Sequence, residues 1–310
     1  MAEFKHYSVM LHETVDMLDI REDGIYVDCT LGGGGHSEEI AKHLTSGRLI
    51  CIDRDSDAIE AAGKRLELYA DRITFVKNNY SNIRYVLDTL GIDRVDGITA
   101  DLGVSSYQLD TPERGFSYHY NAELDMRMDR SESLTAKRVV NEYSEQELAR
   151  VISEYGEEKF ARQIARAVCN VRREKEINTT FELVDIIKSA VPKAAQMDKH
   201  PARRTFQAIR IEVNGEIAAL KGAVESMVDC LAPKGRIAII TFHSLEDRAV
   251  KEVFQSKVNG CVCPPNFPVC VCGFKQELEL LNRKPITANT GELDENNRSR
   301  SAKLRGAVKI

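Results

Sequence analysis

The stretch Asp28-Cys29-Thr30-Leu31-Gly32-Gly33-Gly34-Gly35-His36-Ser37 decides the fold, because it joins a buried strand to a helix. Residues 25–29 form a short apolar run typical of a strand, and residues 37–44 begin with a good N-cap and two acidic residues, as a helix does. Glycines let a backbone approach a ligand closely, and a helix N-terminus offers N–H groups. A turn without a ligand is the alternative, but four consecutive glycines lose much conformational entropy on folding.

Strand and helix signals alternate through the first hundred residues. Strands are predicted at 25–29, 48–52, 73–76 and 95–102, with helices at 37–44, 58–68 and 81–90. Short links between such elements favour right-handed βαβ units and a parallel sheet. Asp53 follows the second strand, 18 residues past Gly35, where an acid can accept hydrogen bonds from both hydroxyls of a ribose.

The alternation stops at about residue 111, and the chain to residue 214 shows only helical periodicity. Apolar residues at steps of three and four from Phe206 to Leu231 predict one long helix, ended by Pro233-Lys234-Gly235. A fifth strand is predicted at 236–241, a helix at 245–255, and two last strands at 280–286 and 302–310. We therefore predict a sheet domain in two parts, 1–110 and 215–310, with an all-helical substrate-recognition domain (111–214) inserted between strands four and five.

The glycine motif alone leaves the nucleoside cofactor open, and the rest of the pattern narrows the choice. Where the dinucleotide fingerprint needs its third glycine, the chain has Ser37 or Glu38, depending on the glycine that starts the pattern. A second mononucleotide-binding half is also missing from the pattern. The sequence thus predicts an α/β, Rossmann-like, mostly parallel seven-stranded sheet of the class I S-adenosylmethionine-dependent methyltransferases, rather than a dehydrogenase.

Composition and charge limit the class of protein. Hydrophobic residues make up 43% and charged residues 29% of the 310, which excludes wholesale disorder. No apolar run approaches the roughly 18 residues of a membrane span, and the first ten residues lack the apolar core of a secretion signal. Eight cysteines are too sparse for a disulfide scaffold, so we expect a cytoplasmic protein without a membrane partner.

Two basic stretches stand out in a chain whose net charge is −5. Residues 193–211 include Arg203 and Arg204, and residues 298–309 include Arg298 and Arg300. Either stretch is a solvated face or a surface for an anionic partner such as RNA. Two polar residues also end predicted strands, Asp101 after strand four and His243 after strand five, where ligands of open sheets bind. For His243 a structural role remains equally open.

Several long motifs together resemble one known family, the RsmH (formerly MraW) ribosomal RNA methyltransferases. The resemblance runs nearly end to end. It rests on 10–15 (MLHETV), 28–37 (DCTLGGGGHS), 101–110 (DLGVSSYQLD), 114–117 (RGFS), 124–129 (LDMRMD), 200–210 (HPARRTFQAIR), 241–248 (TFHSLEDR) and 297–305 (NRSRSAKLR).

The resemblance implies methylation of the exocyclic N4 of a cytidine in the decoding region of 16S ribosomal RNA. By position, it implies cofactor contacts at Gly34, Gly35, His36, Asp53, Tyr80, Asp101 and Gln108. Asp101 is the nearest hydrogen-bond acceptor for the target amine, and so the candidate catalytic residue. Phe116, Tyr118 or Phe242 are the candidates to stack on the target base. Substrate contacts are expected at Arg203, Arg204, His243, Arg298 and Arg300.

Other functions remain open at this stage. The same scaffold suits an amino-methyltransferase acting on DNA or protein, or a non-catalytic RNA- or zinc-binding factor of ribosome assembly. The substrate is either free RNA or the assembled small subunit, and a homodimer is not excluded by the sequence.

A Cys-rich loop at 261–272 is not required by the resemblance. Cys261, Cys263, Cys270 and Cys272 provide four thiols within twelve positions, enough for a tetrahedral structural zinc. Cys-x-Cys pairs are less typical of zinc sites than Cys-x-x-Cys, and a reduced loop without metal is the alternative.

Overall fold

The computed structural model describes residues 8–196, 200–261, 263 and 271–310. Within those ranges the chain forms two compact units. The sheet unit contains the residues up to Gly103 and from Ile217 onward, and the helical unit contains Val104–Glu216. The sequence places these boundaries after residues 110 and 214.

The elements, in chain order, alternate strand and helix on both sides of a long helical stretch. The strands are β1 (Ile25–Asp28), β2 (Arg48–Asp53), β3 (Ile73–Lys77), β4 (Val95–Asp101), β5 (Leu231–Thr241), β6 (Leu278–Leu280) and β7 (Lys303–Lys309). The helices are α1 (Leu11–Leu18), α2 (Gly35–His43), α3 (Ser56–Arg65), α4 (Ile83–Thr89), α5 (Ser106–Asp110), α6 (Ala136–Glu142), α7 (Glu145–Gly156), α8 (Ala161–Arg172), α9 (Thr180–Ala190), α10 (Arg203–Asn214), α11 (Leu220–Cys230), α12 (Ser244–Asn259) and α13 (Thr290–Glu295).

The strands form one seven-stranded sheet in the order β3-β2-β1-β4-β5-β7-β6. β1 to β5 pair in parallel, and β7 runs antiparallel between β5 and β6. One face buries an apolar cluster with α4, α11 and α12, and the other face buries a second cluster with α1, α2 and α3. This is the mostly parallel sheet that the sequence predicts, and it brings the carboxyl ends of β1, β2, β4 and β5 to one edge.

The prediction of one long helix from Phe206 to Leu231 is wrong. α10 ends at Asn214, where Gly215 takes a left-handed conformation (φ 61°) and its N–H donates to the Glu212 carbonyl. α11 begins only at Leu220. Apolar residues continue at helical spacing through the break because each helix buries its own apolar face. Periodicity alone therefore does not register the boundary between the units.

The predicted start of the fifth strand and the predicted sixth strand also differ from the structure. β5 begins at Leu231, before Pro233-Lys234-Gly235 rather than after it. The extra residues form an irregularity in the pairing with β4, in which Lys234 has a φ of 67°. β6 is shorter than the predicted 280–286, and Ile286 forms only an isolated bridge with Leu304.

The helical unit has its own apolar core, to which α6, α7, α8, α9 and α10 contribute. Its described residues contain no strand, only an isolated bridge between Glu123 and Thr179. No helix in the described ranges is long and apolar enough to cross a membrane.

Candidate active site

The glycine-rich loop between β1 and α2 is a tight turn that requires glycine at Gly34. This residue has a φ of 76°, and a Cβ added to it would lie 3.1 Å from the Cβ of Ala62. Its N–H donates to the Leu31 carbonyl at 2.8 Å. The turn ends directly in α2, so the first N–H groups of that helix open onto the carboxyl edge of the sheet.

A chain of hydrogen bonds beneath the loop connects it to β1 and β4. Ser37 Oγ donates to Asp28 Oδ2 at 2.6 Å, and the Thr30 N–H donates to Asp28 Oδ1 at 3.0 Å. The Asp101 N–H in turn donates to Thr30 Oγ1 at 2.6 Å. Burial raises the pKa of Asp28, although both hydrogen bonds oppose the rise. Sequence reasoning included Thr30 in the motif but gave it no role; its position between two strand ends was the available signal.

Asp53 ends β2 and holds the glycine-rich loop from the other side. Its Oδ2 accepts from the Gly32 N–H at 2.8 Å, and its Oδ1 accepts from the Asp55 N–H at 2.9 Å. Burial raises the pKa of Asp53 to about 6, against the effect of these two hydrogen bonds. Each carboxylate oxygen retains a lone pair, so both can accept from the hydroxyls of a ribose.

Asp101 ends β4 and differs from Asp53 in what surrounds its carboxyl group. Its Oδ1 is buried and has no hydrogen-bond partner in the part of the chain that the structure describes. Burial, followed by the charges of Asp28 and Glu246, raises the pKa of Asp101 well above its usual range. A buried acceptor without a partner at the ligand-binding edge of a sheet indicates a place for a hydrogen-bond donor from a ligand.

Tyr80 and His36 occupy different positions in the sheet unit. Tyr80 starts a short 3-10 helix after β3 and packs, half-buried, against the core on the α4 face. The Asn78 N–H donates to the Asp53 carbonyl at 2.9 Å, which ties this segment to the end of β2. His36 is buried, and its Nε2 lies 3.0 Å from the Val9 carbonyl oxygen. The ring of His36 therefore holds the segment before α1.

Three of the predicted site residues belong to the helical unit. Gln108 is buried in α5, where its Oε1 accepts from the Ser105 N–H and its own N–H donates to Ser105 Oγ, forming a capping box. Arg203 and Arg204 are exposed in the first turn of α10, and Arg204 donates to the Glu157 carbonyl at 2.9 Å.

His243 is the N-cap residue of α12. Glu246, three residues later, accepts from the Phe242 N–H at 2.7 Å and the His243 N–H at 3.3 Å. His243 Nε2 also lies 3.0 Å from Glu246 Oε1. The structure thus gives His243 a local structural role. Sequence reasoning missed Glu246, although a polar residue followed three positions later by Glu is the signature of a capping box.

The predicted basic tail is largely neutralised within the sheet unit. Lys303 and Arg305 donate to the two carboxylate oxygens of Asp247 at 2.9 and 2.7 Å. Lys309 donates to Glu277 at 2.8 Å. These three cations are paired by acidic residues distant in sequence, which the sequence alone does not show. Arg298 and Arg300, on a 3-10 turn, remain exposed.

The three aromatic candidates for base stacking have different surroundings. Phe116 is buried in the core of the helical unit. Tyr118 is stacked on the His200 ring, with centroids 4.5 Å apart and planes 8° from parallel. Phe242 is half-buried directly after β5 and is the one of the three that belongs to the same unit as Asp101.

Comparison with known proteins identifies the family. A family model described as the MraW methylase family matches residues 3–310. The chain belongs to the MraW methylase family. Two curated relatives named ribosomal RNA small subunit methyltransferase H come from Finegoldia magna (54% identical, 99% of each chain covered) and Lachnospira eligens (57% identical, 98% of each). A solved rRNA methylase from Streptococcus thermophilus covers 100% of this chain and 99% of its own, with 12% identity and a TM-score of 0.44.

MraW methylases are class I enzymes that depend on S-adenosylmethionine, so the predicted fold class and cofactor are confirmed. The sheet unit fits this cofactor. The left-handed turn at Gly34 brings backbone N–H groups to the sheet edge, and Asp53 presents two acceptor oxygens. Asp101 has a buried oxygen to which no described residue donates. A nucleoside with a cationic sulfonium group matches this set of acidic acceptors.

The Cys-rich loop lies at the opposite end of α12 from His243. The Sγ atoms of Cys261, Cys263 and Cys272 all lie within 4.8 Å of one another. Cys270, the fourth predicted ligand, lies outside the described residues.

Proposed function

We propose that this protein transfers a methyl group to the exocyclic N4 of a cytidine in the decoding region of 16S ribosomal RNA. Two relatives that match nearly the whole chain are named for small-subunit ribosomal RNA, which supports the RNA substrate. The observation that carries the chemistry is the buried Oδ1 of Asp101 at the carboxyl end of β4, which has no hydrogen-bond partner among the residues described by the structure.

Cytosine N4 is a poor nucleophile because its lone pair is delocalised into the ring. S-adenosylmethionine supplies an already activated methyl group, so the protein has mainly to align donor and acceptor and exclude water. A carboxylate oxygen that accepts from the N4–H favours a pyramidal nitrogen and takes the proton when the new N–C bond forms. Asp101 has an oxygen available for this role.

The raised pKa of Asp101 affects this role in two ways. A carboxylate with a raised pKa is a stronger base than an exposed one, but it must be ionised to act. The positive charge of the cofactor favours the ionised form. We therefore expect methyl transfer to be lost as the pH falls through the raised pKa of Asp101.

The RNA must present an unstacked base to this edge of the sheet. Unstacking costs a few kcal/mol, which contacts to the RNA backbone have to offset. Arg203, Arg204, Arg298 and Arg300 are exposed cations that can bind phosphates. We infer that the partner is small-subunit ribosomal RNA, free or assembled, and that the protein acts in the cytoplasm.

Asp101→Asn tests the chemical role. It keeps the size of the side chain and one acceptor oxygen but removes the charge and the basicity. We expect methyl transfer to fall by about 100-fold or more, within the range of a lost general base, while cofactor affinity changes far less. Rate and affinity are measured separately, by single-turnover transfer and by calorimetry. Asp93→Asn, an equal charge change at an exposed position before β4, is the matched control.

The outcomes separate the alternatives. If affinity falls as much as the rate, Asp101 is a cofactor ligand; if transfer remains near normal, it has neither role. Three substrates are compared in the methyl-transfer assay: small ribosomal subunits, free 16S RNA and DNA. The methylated nucleoside is identified by mass spectrometry. A wild-type protein that binds RNA but methylates none of them would favour a non-catalytic assembly factor.

A further inference from the structure

Three thiols converge where the Cys-rich loop leaves and rejoins the sheet unit. Cys261 lies two residues after the end of α12, and Cys272 lies six residues before β6. Cys272 Sγ is 3.7 Å from Cys261 Sγ, and Cys263 Sγ is within 4.8 Å of both. Cys261 and Cys272 are exposed and Cys263 is half-buried, so an ion can reach them from solvent.

The segments that flank these thiols, the last turn of α12 and the chain entering β6, are joined by hydrogen bonds and packing. The Glu277 N–H donates to the Lys257 carbonyl at 2.9 Å, and Lys257 Nζ donates to Glu277 Oε1 at 2.8 Å. Phe274 packs against Gly260 so closely that a Cβ on Gly260 would lie 2.8 Å from its ring. These contacts join the last turn of α12 to the chain entering β6, so the thiols are brought together by the fold.

The spacing of the Cys261 and Cys272 sulfurs matches the geometry of a thiolate metal centre. With Zn–S bonds of about 2.3 Å, two sulfurs of a tetrahedral site lie about 3.8 Å apart. The 3.7 Å between Cys261 and Cys272 fits this distance, whereas a disulfide needs about 2.05 Å. Three soft thiolates select zinc over magnesium or calcium, which prefer oxygen ligands.

We propose that Cys261, Cys263 and Cys272 bind a structural Zn²⁺ ion. The metal links the end of α12 to the segment that leads into β6, a connection that the methyl-transfer chemistry does not use. Metal binding of this kind adds to the stability of the folded chain, because the unfolded chain has no preformed site.

Metal binding is tested on the full chain, stripped with a chelator, fully reduced and kept under inert gas. We expect Co²⁺ to bind with a stoichiometry of one per chain, giving thiolate-to-cobalt charge-transfer absorption and the visible bands of a tetrahedral site, and Zn²⁺ to displace it. Cys261→Ser and Cys272→Ser should each weaken binding by at least about tenfold. Val271→Ser, in the same loop and 72% exposed, should leave it unchanged.

A second measurement keeps the test independent of folding defects in the variants. In the wild-type chain, Zn²⁺ should protect Cys261, Cys263 and Cys272 from alkylation, as counted by peptide mass spectrometry. The proposal is overturned if the reduced wild-type chain binds no metal, if the serine variants bind as tightly as wild type, or if Zn²⁺ leaves the three thiols open to alkylation. None of these readouts depends on methyl transfer, so the proposed function is tested separately.

Discussion

Asp53 and Asp101 are both carboxyl groups at strand ends with a raised pKa, yet their hydrogen bonding differs. Both oxygens of Asp53 accept from backbone N–H groups of neighbouring turns. In Asp101, by contrast, one buried oxygen accepts from no described residue. The first side chain is therefore held in place by the backbone, and the second keeps an acceptor available for the proposed proton transfer.

The pH dependence of cofactor affinity follows from Asp53. The pKa of this group is raised to about 6, and we expect a ribose hydroxyl to donate to its ionised form, so affinity should be full above that pH and be lost below it. One titrating group predicts affinity about tenfold weaker at pH 5 than at pH 7. Asp53→Asn should weaken binding at pH 7 by about 1–3 kcal/mol and flatten this part of the profile. Calorimetry across pH measures both.

The control for this prediction is Glu60→Gln, which removes one negative charge from the exposed face of α3. It should reproduce the wild-type profile. An Asp53→Asn protein that is correctly folded but retains the wild-type affinity and pH profile would exclude Asp53 from the cofactor site.

Among the elements, the turn from β1 to α2 has the strictest backbone requirement. Gly34→Ala places a Cβ on a residue with a φ of 76° and brings it 3.1 Å from Ala62 Cβ. We expect a loss of about 1–2 kcal/mol in the free energy of unfolding, the cost of a left-handed L-residue. Cofactor affinity should fall as well, because the same turn positions the N–H groups of α2. Chemical denaturation and calorimetry are the measurements.

Gly63→Ala is the matched control on neighbouring α3. A Cβ there meets no atom within 4 Å, and the residue lies inside a helix. This substitution should stabilise the protein by about 0.5–1 kcal/mol, because alanine favours helix over glycine. If both substitutions had the same effect, the conformation of Gly34 would not be the reason for its glycine.

The sequence predicts the strands of the sheet well because they are buried on both faces and read as short apolar runs. It also predicts the positions of Asp53 and Asp101, since each follows such a run directly. Sequence-based prediction fails where the structure depends on contacts between residues that are distant in the chain. The residues around Pro233 do not indicate that β5 starts before it. The residues around Arg305 likewise do not indicate that it pairs with Asp247, which lies far from it in the sequence.

Helix capping also limits what the sequence predicts about the candidate site. The sequence gives the type of each polar residue, whereas its role depends on its hydrogen-bond partner, which only the structure shows. His243 and Gln108 both take part in capping boxes, a use that is visible in the sequence once the helix starts are known. The helix starts were the missing information, because strand ends and helix N-termini coincide at this edge of the sheet.

At the scale of the whole molecule, charge limits how the protein can hold RNA. The net charge is −5, so the overall field gives no general attraction to phosphates. Lys303, Arg305 and Lys309 are paired with acidic partners inside the sheet unit. We therefore expect RNA binding to depend on local groups of exposed arginines, and we propose Arg203 and Arg204 of the helical unit as one such group.

The salt dependence of RNA binding tests whether Arg203 and Arg204 contact phosphates. Replacing Arg203 and Arg204 together by Ala should weaken RNA binding and lower the slope of log K against log salt by up to about 1.8, while cofactor affinity stays unchanged. Binding is measured by fluorescence anisotropy at several salt concentrations. Replacing Arg162 and Arg166 on α8, which are also exposed, controls for charge. If the Arg203/Arg204 double variant keeps the wild-type salt slope, these two arginines are solvated and do not contact phosphates.

The position of β7 has a consequence for how the protein is made. β7 pairs with β5 along its length, although about 60 residues of chain separate the two strands. At about 5–20 residues per second, a ribosome takes roughly 3–12 s to translate that interval. Until β7 has been made, β5 lacks its neighbour on that side of the sheet, whereas β1 to β4 precede it in the chain. A methyltransferase that acts on ribosomal RNA thus completes its own sheet only after the translating ribosome has released β7.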